Sequence, residues 1–141
     1  MKEVAVGILL QEGRVLACQR SAHARYPLKW EFPGGKREPG EDPQQTLRRE
    51  LREELDIEPL VLDEFHCQEW IYPEGVEDPA RDGSFRVTYF LVSRFRGSPV
   101  NHVFQQIRWV PPEELLSMDI LEGNRDAIRR LLETDGTHTG S

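Results

Sequence analysis

The chain has 141 residues and a formal net charge of −7 at pH 7, a size that suits one domain with a real core. The acidic balance excludes broad binding to a nucleic-acid polymer, which needs a basic surface, and no apolar run approaches the ~20 residues of a membrane span. Two cysteines, Cys18 and Cys67, without metal-type pairing exclude a disulfide scaffold, and the start MKEVAVGILLQEGRV reads as strand and turn rather than secretion signal, so cytoplasmic residence is expected.

In chain order, Val4 to Leu10 and Val15 to Arg20 read as two strands joined by a turn at Glu12-Gly13. Trp30 to Phe32 follows as a short strand that leads into a turn containing Gly34, Gly35, Pro39 and Gly40. A helix is predicted from Asp42 or Pro43, because Asp42 suits the N-cap, Pro43 the first helical position and Gln45 the far corner of a capping box. Leu60 to Gln68, Phe85 to Phe95 and Gln105 to Val110 carry β-favouring residues. The acidic, turn-rich segment Tyr72 to Gly83 is expected as an exposed loop. Pro111-Pro112 opens a short helix to about Met118, and a last helix fits Asn124 to Leu132. The domain is expected over residues 1–133, with a disordered tail over 134–141. Strands before and after one helix, with a second helix at the end, predict an α/β fold: a mixed sheet in an α/β/α layer arrangement.

The chemistry concentrates on the first helix. At ~100° per residue, Leu47, Leu51 and Leu55 form an apolar stripe, and Glu50, Glu53 and Glu54 fill an adjoining arc. Glu41, in the turn before the helix, can fold back toward that arc. Like charges this close repel, and a divalent cation reverses the sign. Oxygen-only ligands suit Mg²⁺, with Mn²⁺ as a substitute. Arg49 lies beside Glu53 on the helical projection, where its guanidinium can orient a carboxylate by paired hydrogen bonds. Taken alone, the usual explanation for a run such as RRELREEL is the wet face of an amphipathic helix.

The stretch Gly35 to Ile57 resembles the Nudix box, GX5EX7REUXEEXGU with U a bulky aliphatic residue, through Gly35, Glu41, Arg49, Glu50, Leu51, Glu53, Glu54 and Ile57. Chance agreement at six fixed identities comes to roughly 10⁻⁷ per starting position at ordinary residue usage, so the wet-face reading loses. Outside the box, Gln19-Arg20, KWEFPGGK at Lys29 to Lys36 and WVPPEEL at Trp109 to Leu115 are similar to the MutT-like branch, over about residues 3–133. The resemblance implies the same α/β/α sandwich and hydrolysis of nucleoside triphosphates, oxidised purine or cytidine nucleotides among them, to monophosphate and pyrophosphate.

By the same resemblance, Glu50, Glu53 and Glu54 hold metal with help from Glu41 and a carbonyl of the Gly34-Gly35 turn, Gly35 being the box position. Glu53 is alternatively a candidate to deprotonate the attacking water. Arg20 aligns with a phosphate-contacting arginine, Asn124 with an asparagine that reads the base edge, and Phe32 is placed to stack on a base. Each has a plain structural alternative: a strand-end arginine in solvent, the N-cap of the last helix, a core aromatic. Trp30, Trp70 and Tyr72 are further pocket candidates that packing also explains.

Two positions depart from the pattern. Asp56 stands where the box has Gly, at an expected left-handed C-cap that Asp tolerates. Val103 stands where MutT-like chains often carry another glutamate, and nothing acidic lies between Gly97 and Trp109. A box glutamate, His102 or a water must then fill that part, although His102 is more simply a surface residue. Two other functions stay open: a Nudix hydrolase for ADP-ribose, dinucleoside polyphosphates or another nucleoside diphosphate derivative, and a catalytically silent nucleotide-binding module. The expected partner is a small nucleotide rather than a nucleic-acid polymer or a membrane, and the chain is expected to be a monomer or homodimer.

Overall fold

The computed structural model describes residues 1–71 and 83–139, with side chains as far as Thr134. The predicted loop at Tyr72 to Gly83 therefore lies outside the described residues except for Gly83, and Tyr72 with it. The elements are β1 Lys2–Gln11, β2 Arg14–Gln19, β3 Trp30–Glu31, β4 Gly34–Lys36, α1 Pro43–Leu55, β5 Glu58–Ile71, β6 Ser84–Arg96, β7 Gln106–Val110 and α2 Arg125–Thr139. Two 3₁₀ helices, Pro112–Ser117 and Glu122–Asn124, precede α2.

The sheet is seven-stranded and mixed. Its main path runs β3-β2-β1-β6-β5, with β4 on β1 and β7 on β2. β1 runs parallel to β6 from the Lys2 and Phe85 pair to the Leu9 and Val92 pair, and β5 is antiparallel to β6. The turn at Glu12-Gly13 has φ of 51° and 76°, the two positive values that suit a tight hairpin.

Period-two alternation along β1 sends side chains to both faces. Val6 and Ile8 join Trp30, Phe32, Tyr89, Ile128 and Leu131 in a core beneath α2. Ala5 and Leu9 join Leu47, Leu51, Leu55 and Phe90 in a core beneath α1. One sheet covered by a helix on each side is the expected α/β/α sandwich. The leucine stripe of α1 is fully buried, and each leucine contributes about 2 kcal/mol of burial.

The ends of α1 are fixed by the predicted chemistry. Asp42 caps the Gln45 N–H while the Gln45 side chain accepts from the Asp42 N–H. Asp56 adopts φ 57°, ψ 34° as the left-handed C-cap. Its side chain meets His102 Nε2 at 2.7 Å, and the Val100 and His102 N–H groups donate to the Leu55 and Glu54 carbonyls, which satisfies terminal acceptors of the helix.

Three expectations need correction. The glycine turn includes a strand, β4, because Gly34 at φ 149° lets the backbone close on β1 where a Cβ would overlap the Ala5 carbonyl. The helix after Pro111-Pro112 is a 3₁₀ helix ending at Ser117. α2 begins at Arg125, one residue later than expected, and continues past Leu132 to Thr139.

Candidate active site

Arg49 is the centre of the α1 face. Its Nε and Nη2 donate to Glu41 Oε2 and Oε1 at 2.7 and 3.0 Å, Nη1 donates to Glu50 Oε1 at 2.9 Å, and Nη2 also reaches the Lys36 carbonyl at 3.0 Å. Glu53 is more distant, at 3.5 Å. The paired hydrogen bonds expected toward Glu53 thus go to Glu41, which folds back as expected but onto the arginine. Glu41 Oε1 also accepts from the Glu38 N–H and the Thr46 hydroxyl. These donors, the Arg49 bonds foremost, hold the Glu41 carboxyl down at about 2, and Glu41 in turn raises the Arg49 guanidinium above its ordinary value.

Glu50 and Glu54 sit deeper. The Glu50 carboxylate rests on Gly35, where any Cβ would overlap it. That contact is a physical reason for glycine at residue 35. Burial raises the Glu50 carboxyl, and Arg49 opposes the shift. Glu54 Oε1 accepts from the Gly34 N–H at 3.0 Å. Burial, with Glu50, Glu31 and Glu53 nearby, nonetheless pushes the Glu54 carboxyl up to about 8. Glu53 is exposed.

Among the described residues, no three acidic, histidine or cysteine side chains stand at spacing to clasp one ion. The expected convergence of four carboxylates is therefore incomplete, since Glu41 is engaged by Arg49 and Glu54 by Gly34. The donor set still fits a hard cation. Glu50, Glu53 and Glu54 offer only oxygen, the Gly34-Gly35 strand lies against Glu54 and Glu50, and Glu54 sits among the other carboxylates whose repulsion a divalent cation would offset.

From Glu54 a cavity of about 410 Å³ opens toward the α2 side of the sheet, with Arg20, Glu31, Lys36, Phe32, Tyr89 and Asn124 on its walls. Arg20 is tied into that wall: Nε donates to the Arg25 carbonyl at 2.7 Å and Nη1 to Glu31 at 3.0 Å. Burial raises the Glu31 carboxyl, and Arg20 pulls it back. Phe32 is 4% exposed and belongs to the core, edge-on to Tyr89 at 6.5 Å, so only part of its ring faces the cavity. Asn124 is 7% exposed. Its Oδ1 accepts from the Tyr89 hydroxyl at 2.6 Å.

Trp70 also lines the cavity, while Trp30 lies in the α2-side core. Val103 is 52% exposed, and His102 faces Asp56. Cys18 is buried, and burial first, then Glu31 and Glu54, raise its thiol far above the ordinary value. The sequence reading missed Glu31, Lys36, Thr46 and Tyr89. Thr46 carried a local signal, five positions after Glu41 on the first helical turn, whereas Tyr89 carried none, because its partner lies on a different element.

The sequence matches the NUDIX domain family over residues 1–131. It is 38% identical over 119 residues to a CTP pyrophosphohydrolase of Escherichia coli K12, covering 82% of this chain and 80% of that one. It is also 33% identical over 130 residues to an 8-oxo-dGTP diphosphatase of the same strain, covering 92% and 95%. Among solved structures, that of the E. coli ORF135 protein superposes with a TM-score of 0.82 at 29% identity, covering 97% of this chain and 92% of the other. The chain belongs to the Nudix family and is an enzyme, a Nudix pyrophosphohydrolase. Enzymes of this family generally use divalent metal ions. No described helix is long and apolar enough to cross a membrane.

Proposed function

We propose that the chain hydrolyses nucleoside triphosphates to the monophosphate and pyrophosphate in the cytoplasm, with Mg²⁺ as its cation and Mn²⁺ as a substitute. The carrying observation is that one cavity is lined by Glu54, Arg20, Lys36 and Asn124 together. Anionic, cationic and amide groups thus share one cavity, which suits a metal, a phosphate chain and a base. The relatives named for CTP and 8-oxo-dGTP support the same substrate class.

Phosphoryl transfer needs placement of water and neutralisation of charge more than covalent chemistry from the protein. Glu50, Glu53 and Glu54 would hold the cation with the Gly35 carbonyl, while Glu41 holds Arg49 and Arg49 orients Glu50. A bound divalent cation supplies charge neutralisation and a more acidic attacking water. Glu53, exposed on α1, would alternatively act as the base toward the attacking water in place of holding the cation. Arg20 and Lys36 face the phosphates, and Glu31 keeps the Arg20 guanidinium in position. Phe32 and Asn124 face the base. The small-molecule partner is the nucleotide, and the active unit is a monomer or homodimer.

The test is pyrophosphate release from a panel of ordinary and oxidised nucleoside triphosphates, ADP-ribose and dinucleoside polyphosphates, with Mg²⁺, with chelator and with Glu54→Gln. Turnover of a triphosphate that both chelator and Glu54→Gln abolish supports this reading. Activity confined to ADP-ribose or dinucleoside polyphosphates overturns it.

A further inference from the structure

The capping box of Asp42 and Gln45 fixes how the chain enters α1. In that geometry the residue before the N-cap comes to lie against the fourth residue of the helix, and an apolar pair often fills the two places. Here the pair is polar. Glu41 precedes the cap, and Thr46, fully buried, stands at the fourth helical position with its hydroxyl 3.0 Å from Glu41 Oε1.

The Thr46 hydroxyl has one proton and two acceptors in reach, Glu41 Oε1 and the Asp42 carbonyl at 3.1 Å. The Asp42 carbonyl already accepts the helical bond from the Thr46 N–H at 3.0 Å. Arg49 first, and the Glu38 N–H after it, hold the Glu41 carboxyl at about 2, so Glu41 is ionised at neutral pH. A charged acceptor makes the stronger bond, and the proton goes to Glu41.

Of the donors on Glu41, the Glu38 N–H and the Thr46 hydroxyl are the two that do not depend on the arginine. Glu38 belongs to an exposed turn, whereas Thr46 is buried within α1, so the hydroxyl ties the carboxylate to the helix itself. Glu41 so placed receives Arg49 Nε and Nη2, and Nη1 then meets Glu50 Oε1 at 2.9 Å.

We infer that Thr46 is a positioning residue for the reaction: its hydroxyl anchors Glu41 to α1, and through Glu41 and Arg49 it sets the Glu50 carboxylate. The Nudix pattern leaves residue 46 unspecified between Glu41 and Arg49, so this anchor is additional to the box residues. The inference rests on the metal-holding role proposed for Glu50, but the hydrogen bonds that carry it are the protein's own.

The test begins without metal or substrate. In chelator, the Arg49 Nε–H resonance, assigned by its absence in Arg49→Lys, should exchange with water about tenfold faster in Thr46→Val than in the wild type, the scale of one charged hydrogen bond. Thr46→Ser keeps the hydroxyl and should restore the rate to within about threefold. Thr46→Ala, a good helix former, repeats the measurement should valine disturb the turn. In Mg²⁺, Thr46→Val should lower kcat for the best-hydrolysed triphosphate about tenfold with KM within about twofold, and serine should recover it. With Glu41→Ala already in place, Thr46→Val should add less than about twofold, because the two residues act in series. A merely structural threonine would cost the same in both backgrounds. Unchanged Arg49 exchange in both hydroxyl-free variants, or full additivity with Glu41→Ala, overturns the inference. The expected exchange rates in a chain that turns over no triphosphate sink the proposed substrate and keep the anchor, whereas turnover with unchanged exchange does the reverse.

Discussion

The α1 face and the far end of the cavity are both polar sites on the same sheet, yet they are encoded differently. On α1, Arg49, Glu50, Glu53 and Glu54 share one helix, so their neighbourhood follows from the ~100° step between residues. At the other end, Tyr89 from β6 donates to Asn124 of the 3₁₀ helix before α2, Gln68 from β5 donates to the adjoining Gly123 carbonyl, and only the folded sheet brings them together. The difference teaches that a helix can write its chemistry into local spacing, whereas a site assembled across strands leaves no short-range mark.

The sharpest way to break this comparison is at the α1 face. Glu54→Gln or Glu50→Gln should lower kcat by about a hundredfold or more, beyond the usual cost of disturbing a residue that only supports a metal ligand. Loss of the same size from Asn124→Ala would erase the division between a catalytic end and a selecting end. Arg49→Lys should cost about 10- to 100-fold in kcat/KM, because lysine cannot span both Glu41 oxygens and reach Glu50. Gly35→Ala should cost about tenfold or more in activity, since its methyl would occupy the Glu50 carboxylate position. Titration of metal binding would show the same loss if displacement of Glu50 is the cause.

The acid range gives a subtler separation. The Glu54 carboxyl is raised from 4.5 to about 8 in the folded chain, so the folded state holds that proton more tightly than the unfolded one. Its contribution to stability is full below pH 4.5 and is lost as pH rises through about 8. Melting temperatures in chelator should therefore fall over that window, and Glu54→Gln should flatten the fall. Glu41, lowered to about 2, acts in the opposite sense. Its stabilisation is present above pH 4.5 and is lost as pH falls toward 2, and Arg49→Lys should weaken it. The smallest expected effect is Asp56→Gly, which relieves a left-handed backbone but gives up the exposed His102 contact. Opposing terms of this kind should leave stability within about 1 kcal/mol by denaturant titration.

How far the sequence carried the account follows the same line. The helix cap at Asp42, the buried leucine stripe and the left-handed Asp56 were all legible because each is a property of a few adjacent residues. β4 was not, since two glycines carry no strand signal and the pairing with β1 depends on backbone approach. The sequence folded Glu41 back toward the glutamate arc, but the projection favoured Glu53 as the arginine's partner. It did not include the turn that folds Glu41 back, with Thr46 and the Glu38 N–H to hold it. Asn124 was reached through resemblance alone. Its link to Tyr89 spans 35 residues and was invisible to any local pattern.

The most direct test of the central claim compares Glu54→Gln with the wild-type chain for both triphosphate turnover in Mg²⁺ and binding of the nucleoside monophosphate product in chelator. A catalytic α1 face with a separate selecting end predicts that turnover is nearly abolished while monophosphate binding stays within about threefold, less than one neutral hydrogen bond. Retained turnover, or loss of monophosphate binding in parallel with turnover, would contradict it.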